Sequence, residues 1–273
     1  MFFEWYWANL AGIIMVMIGC LVFTVWIHRS WSHRGIDVSP GVANFSRIWL
    51  WMIGWYWPNL IQHFAATHRK HHARSDQVDD PHSPHYYTFK ELVLDKVDTQ
   101  SDSSRPYYMP KEEVAKWAGD VPQYNDWLEQ NIFRTYPTKG PWILATLYLI
   151  VFGWLGLLVG LVWMYVARMS ARLHNYMSHT RGYRNWPHAD PWDKSVNIIP
   201  IGIIWAGEEL AANHHDDPQS PKLSRRWFEF DIGWVVILLL AKLNLVTFID
   251  ARQLKGHWYS WLFKKEVDKA VKK

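Results

Sequence analysis

Residues Ala8 to Ile27 are twenty consecutive positions without a charged side chain. At 1.5 Å per residue, a helix made from them is about 30 Å long, the thickness of a bilayer's hydrocarbon core. In lipid the backbone must satisfy its own hydrogen bonds, so a run like this is read as a helix. It is read as a span and not a signal peptide, because no basic flank or small-residue cleavage site accompanies it and His28–Arg29 follow at once. A second run, Pro141 to Ala167, has 27 uncharged residues and a glycine-rich middle at Gly153, Gly156 and Gly160. That is more than one crossing needs, and it predicts a tight helical hairpin with arms over 140–155 and 157–179. With 8–28, the chain then has about three transmembrane helices. Ile48 to Leu60 is apolar and Trp-rich but short and contains Pro58, and 232–248 contains Lys242; both are expected to lie on the membrane as interfacial helices.

Lysine and arginine set the orientation. The first ten residues have none, whereas Arg29, Arg34, Arg69, Lys70 and Arg74, then Arg168, Arg172, Arg181 and Arg184, follow the spans. The amino terminus is therefore expected outside, with 29–139 and 180–273 forming a cytoplasmic helical cap. Many of the 20 tryptophans fit an interfacial belt, with Trp5, Tyr6, Trp7, Trp26, Trp31 and Trp142 at span edges. The fold class that follows is an all-α integral membrane protein, a single domain over 1–273. The polar 95–130 segment is read as a loop-plus-helix insertion. The tail lysines (Lys264, Lys265, Lys269, Lys272, Lys273) are read as a solvated or lipid-contacting end.

The single cysteine, Cys20, rules out a disulfide framework, a thiolate zinc site and a self-contained iron–sulfur cluster. That leaves the 14 histidines as the abundant metal donors. Eight of them fall in four groups just beyond apolar segments, on the side assigned to the cytoplasm: His28 and His33 in HRSWSHR, His68, His71 and His72 in HRKHH, His179 with Asn175 in NYMSH, and His214 and His215 in NHH. On a helix, positions i and i+4 differ by about 40°, so His68 and His72 can grip one ion while His71 turns toward another. Asn175 and His179 share a face by the same spacing. His28 and His33, five apart, diverge by about 140° on an α-helix and converge only if it ends or unwinds between them. Eight histidines and an asparagine exceed the four to six donors of one ion, which favours two metals. His63, His82, His85, His174, His188 and His257 stand outside this pattern and are read as surface or supporting residues. A net charge of +4 whose basic residues track membrane edges gives no nucleic-acid footprint. G-x-S-x-G, P-loop, dinucleotide-binding and H-E-x-x-H patterns are missing from the sequence.

At these residues the sequence resembles the integral-membrane fatty acyl desaturases of the stearoyl-CoA desaturase type, including their shorter bacterial relatives. The match runs from HRSWSHR through HRKHH with DDPHSP, NxxxH before GYRN, GEE, and NHH followed by KLS and EFDIGW. The resemblance implies a helical membrane bundle capped by a cytoplasmic di-iron domain, in the inner membrane of a bacterium. One iron would take His28, His33, His68, His72 and His214. The other would take His71, His179 and His215, with Asn175 acting through a water. It further implies O2 as co-substrate and a fatty acyl lipid, acyl-CoA or acyl carrier protein as substrate. Electrons would come from a ferredoxin, a rubredoxin or a small cytochrome with its reductase. The sequence departs at one position: Ala211 stands where the family's last box has its first histidine. Solvent, Glu208, Glu209, His174 or His188 are the candidates to fill that place. The departure leaves two other outcomes open beside cis-desaturation: hydroxylation or another lipid oxidation, and a non-catalytic membrane metal-binding protein.

Overall fold

The charge-free run folds into α1 (Phe2–Val22), which continues without a break as a π-helical segment, Phe23–Ser32. The computed structural model describes residues 2–95 and 104–250, so His257 and the tail lysines lie outside the described residues. After β1 (Ile36–Val38) the Ser39 hydroxyl accepts from the Val42 N–H and Pro40 occupies the first turn, which starts α2 (Pro40–Met52). α2 ends at Met52, and Gly54 follows with φ +79°. The expected interfacial helix over 48–60 is therefore not one element. Its first residues close α2, its middle is a turn broken by Gly54 and Pro58, and Leu60 opens α3 (Leu60–Ala73). In the polar insertion, α4 (Lys111–Ala118) packs against α3. Arg47, wholly buried, ties α2 to the next loop by pairing with Asp126 and with Glu129 (3.1 Å), and Glu129 also accepts from the Tyr56 hydroxyl at 2.6 Å.

The long apolar run forms α5 (Lys139–Ser178), interrupted at Gly153, whose φ of +67° and ψ of −165° are not helical. A Cβ added at Gly160 would lie 2.6 Å from the Tyr148 ring. Twelve residues along an unbroken helix are separated by about 18 Å, so the chain doubles back at Gly153. The arms expected over 140–155 and 157–179 set the turn between them; the observed reversal falls at Gly153. α1 lies along it: the Trp163 indole donates to Asn9 Oδ1 at 3.0 Å and covers Gly12. Glu4–Ser32 and Lys139–Ser178 are the two described helices long and apolar enough to cross a membrane by length and composition.

The remainder is mostly helical, with α6 (Ala211–Asp216) and α7 (Ile232–Lys242), the latter capped by the Asp231 carboxylate accepting from the Trp234 N–H at 2.9 Å. The all-α expectation needs a small correction. β1 pairs antiparallel with β4 (Val246–Phe248), Ile36 opposite Phe248, and β2 (Ile201–Gly202) pairs in parallel with β3 (Phe230–Asp231). The 232–248 segment accordingly splits, helical to Lys242 and extended from Val246, with Asn244 turning at φ +58°. The tryptophans also divide. Trp5, Trp7, Trp142 and Trp154 are exposed, whereas Trp26, Trp51 and Trp55 are core residues packed among α1, α2 and α3. Trp26, expected at an interface, is fully buried because the π-helical segment turns it into the core shared by α1, α2 and α3.

Candidate metal centre

The first pair is brought together by the backbone. The His33 N–H donates to the His28 carbonyl at 3.1 Å and the Ser32 hydroxyl to the Ile27 carbonyl at 3.0 Å, both spanning five residues. A turn closed over five residues sets residues five apart on one face, and the two rings sit 4.9 Å apart between centroids. The helix widens between the histidines; it does not end. α3 presents His68 and His72 one turn apart with Nε2 atoms at 3.1 Å, and α6 adds His214, whose Nε2 is 3.0 Å from both His28 and His72. His68 Nε2 closes the group at 2.7 Å from His28 and 2.8 Å from His33. His28, His33, His68, His72 and His214 thus bring their ligating nitrogens within 4.8 Å of one another, from three segments of the chain.

His71, turned to the other side of α3, meets His179 at the end of α5 and His215 of α6, with ligating nitrogens all within 4.8 Å. Each of these rings has its own carboxylate at Nδ1: Asp80 on His71, Asp76 on His179 and Asp193 on His215, every one at 2.8 Å. A neutral imidazole has one N–H, and a carboxylate at Nδ1 claims it, leaving Nε2 bare. His71 and His179 Nε2 then face each other at 3.1 Å as two lone pairs. Such an arrangement repels unless a cation lies between, so the residues fit a metal ion. A donor set of imidazoles with open positions suits the divalent first-row ions, iron among them.

Electrostatics separate the groups. Burial first, and the neighbouring rings second, hold His33, His68, His72 and His214 well below the ordinary imidazole value. Burial also opposes charge on His71, but Asp80, Asp76 and Asp193 outweigh it and raise that ring. Burial would lift Asp76, yet its hydrogen bond and attraction to His179 bring it down to about 2. Asp80 and Asp193 are lowered further against the same burial, by His71 and His215 respectively. These three aspartates are what the sequence analysis missed. Asp80 lies in the DDPHSP run, but Asp76 is 103 residues from His179 and Asp193 is 22 from His215, so no local spacing announces them.

The candidates for the place at Ala211 are engaged elsewhere. Glu208 accepts from His28 Nδ1 at 2.8 Å and from Thr24, with Arg29 3.7 Å away; burial would raise it, but His28 and then Arg29 hold it at about 2. Glu209 accepts from the Trp205 and Gly207 N–H groups at 2.9 and 3.1 Å. His174 Nε2 donates to the Glu208 carbonyl at 2.7 Å, and His188 is held by Asp216 and the Ser195 carbonyl. None of the four joins the three-histidine group among the described residues. Asn175, one turn before His179, donates its amide to the His82 carbonyl at 3.0 Å. Of the histidines left aside, His63 bonds the Tyr107 carbonyl at 3.0 Å and His85 the His179 carbonyl at 3.2 Å. His82 packs 4.2 Å from the His71 ring, with its Nδ1 buried and unpartnered. Beneath the five-histidine group, Arg29 is 2 % exposed and donates to both Asp231 oxygens at 3.0 Å and to the Pro221 and Ala206 carbonyls, joining the HRSWSHR and EFDIGW segments.

Comparison with known proteins gives the family. A sequence model of the fatty acid desaturase family matches residues 5–232. The chain is 29 % identical to a hex-5-enoyl-[acyl-carrier protein] acetylenase of Moorena producens (strain JHB) over 84 % of its length and 72 % of the relative's. It is 26 % identical to an sn-1 stearoyl-lipid 9-desaturase of Anabaena variabilis, covering 90 % and 84 %, and 28 % identical to an acyl-CoA 5-desaturase of Anemone leveillei, covering 90 % and 72 %. With a family match over most of the chain and every box of the resemblance present around one histidine-lined centre, the chain belongs to the fatty acid desaturase family and is an oxidoreductase of the fatty acyl desaturase type.

Proposed function

We propose that the chain is a membrane-embedded di-iron enzyme that uses O2 to introduce a cis double bond into a long fatty acyl chain. The observation that carries this reading is the convergence of eight histidines from four parts of the chain into groups of five and three. Two iron ions held there would supply, with O2, two electrons from a ferredoxin, rubredoxin or small cytochrome and two protons from solvent, the removal of two hydrogens from adjacent methylenes, with release of two waters. The chain's own part is positioning. His28, His33, His68, His72 and His214 hold one ion, and His71, His179 and His215 the other, with Asn175 acting through a water. Asp76, Asp80, Asp193 and Glu208 lock ring orientation through Nδ1 and make the rings better donors. Deep burial of His28, His71, His179 and His214 keeps bulk water from the centre.

The membrane assignment rests on the outer surface of α5. Trp142, Ile150, Val151, Trp154, Leu158 and Val162 are each at least 60 % exposed, an apolar face that water would not tolerate. With α1 and the two arms of α5 as three crossings, the centre sits on the cytoplasmic side of a bacterial inner membrane. The acyl carrier stays open, because the relatives' names contain three: acyl carrier protein, lipid and acyl-CoA.

Lipid profiling of a host expressing the chain, together with iron stoichiometry, tests the reading. New monounsaturated chains and two irons per protein are expected. Unchanged lipid products in His71→Ala would show the di-iron assignment to be wrong. A second reading, hydroxylation or another lipid oxidation, is favoured by Ala211 alone; an acyl chain that gains oxygen without a new double bond would select it. Fewer than two irons and no O2-dependent turnover would instead select a non-catalytic metal-binding protein.

A further inference from the structure

The smaller histidine group is short of donors. An ion held only by His71, His179 and His215 has one to three positions left over, because such divalent ions take about four to six ligands. Among the described residues no other side chain joins these three: His82, its Nδ1 unpartnered, groups with His71 and Asp80 and not with His179 and His215, and the rest are engaged elsewhere. Asp76, Asp80 and Asp193 face the Nδ1 edges of the three rings, Glu209 caps backbone N–H groups, and His174 donates to a carbonyl. Ala211 marks where a fourth donor would come from. It lies four residues before His215 on α6, the same relation by which His68 and His72 converge from α3, and it is 4 % exposed. A methyl group there reaches no ion. The five-histidine group already lies within the range such ions take, with five nitrogens in one group, a full square-pyramidal set without any added ligand.

We propose that the ion held by His71, His179 and His215 keeps an exchangeable coordination position on the Ala211 side, open to one small monodentate ligand such as solvent or an inorganic anion, and that the five-histidine ion has none. The proposal rests on the two-ion reading above. It also makes Ala211 a determinant of how many exogenous ligands the centre accepts.

Azide binding to cobalt-loaded protein tests it, because the visible bands of Co2+ report coordination number. Full-length protein stripped of metal and reloaded with Co2+ is expected to hold two ions and to change its spectrum with saturation at one azide per chain. Ala211→His, still holding two ions, is expected to weaken azide at least tenfold, whereas Ala211→Ser leaves it within about twofold. Fewer than two Co2+ per wild-type chain overturns the two-ion reading and this proposal with it. Two Co2+ with no azide response, with two azides per chain, or with a response that Ala211→His leaves unaltered overturns the proposal alone. Where Ala211→His does not fold, none or two azides per wild-type chain still overturns the proposal, and His71→Ala, expected to lose the smaller site's ion and the azide response together, supports it.

Discussion

The two histidine groups share α3 and α6 yet are built differently. The larger group works by number: five rings touch one another through Nε2, and among the described residues the carboxylate on it is Glu208, itself partly neutralised by Arg29 at 3.7 Å. The Nδ1 of His214 is buried without a partner. The smaller group works by support, with three rings and three aspartates at 2.8 Å. Metal affinity can be reached either by adding donors or by strengthening each one from behind, and the two groups divide along that line. The negative field of Asp76, Asp80 and Asp193 also makes the smaller site the more welcoming to positive charge, which the raised value of His71 already registers.

The comparison is broken most directly by removing one donor from each group. His71→Ala leaves two rings and is expected to lose that ion and at least 100-fold in product formation, while His33→Ala leaves four and retains its ion; metal analysis alongside lipid profiling distinguishes them. Next in size is the buried pair under the larger group. Asp231→Ala strands the Arg29 guanidinium and is expected to cost about 3–5 kcal/mol of stability, read from denaturant midpoints in detergent. Support from behind the rings comes third. Asp193→Asn is expected to weaken the three-histidine ion by about 10–100-fold, and Glu208→Gln to weaken the five-histidine ion at the lower end of the same range, about tenfold, because four other donors remain; competition with a chromogenic chelator measures both.

The smallest effect is expected from pH in metal-free protein. His72 is held below its ordinary value by burial, so the unfolded chain takes up a proton before the folded one does. That contribution is fully present above about pH 6.5 and is lost as pH falls below it. The carboxylates run the same way at lower pH: Asp76 and Glu208, held at about 2, give stability that is present above the usual carboxylate range and lost as pH falls toward 2. The denaturant midpoint is therefore expected to fall between pH 7 and 5, and less steeply in His72→Gln.

The histidine boxes were legible because metal geometry shows itself in short spacings: His68 with His72 is a one-turn relation that needs no tertiary knowledge. The helical hairpin was legible for a similar reason, an uninterrupted apolar length with glycines inside it. What could not be read depends on distant chain segments meeting. Asp76 reaches His179, and β1 finds β4 across some two hundred residues, through contacts that leave no periodic trace. Trp26 was misplaced because tryptophan satisfies an interface and a core equally well, and only the path of the chain decides. The helix expected over 48–60 failed because apolar composition outweighed two local breakers, Gly54 and Pro58, that were visible in the sequence.

The wide turn between His28 and His33 makes this centre depend on counting as much as on chemistry. Its hydrogen bonds skip five residues, so the spare residue is accommodated by the winding of the helix itself. Deleting one position from Arg29–Ser32 would recreate the spacing of His68 and His72 and let an ordinary α-turn carry both rings. The segment thus holds one residue more than an α-helical path to the metal would use. Within it Arg29 points to Asp231 and ties the HRSWSHR segment to EFDIGW. An α-helical version could keep both ligands and Arg29, but it would change the direction in which the chain leaves the turn relative to Asp231.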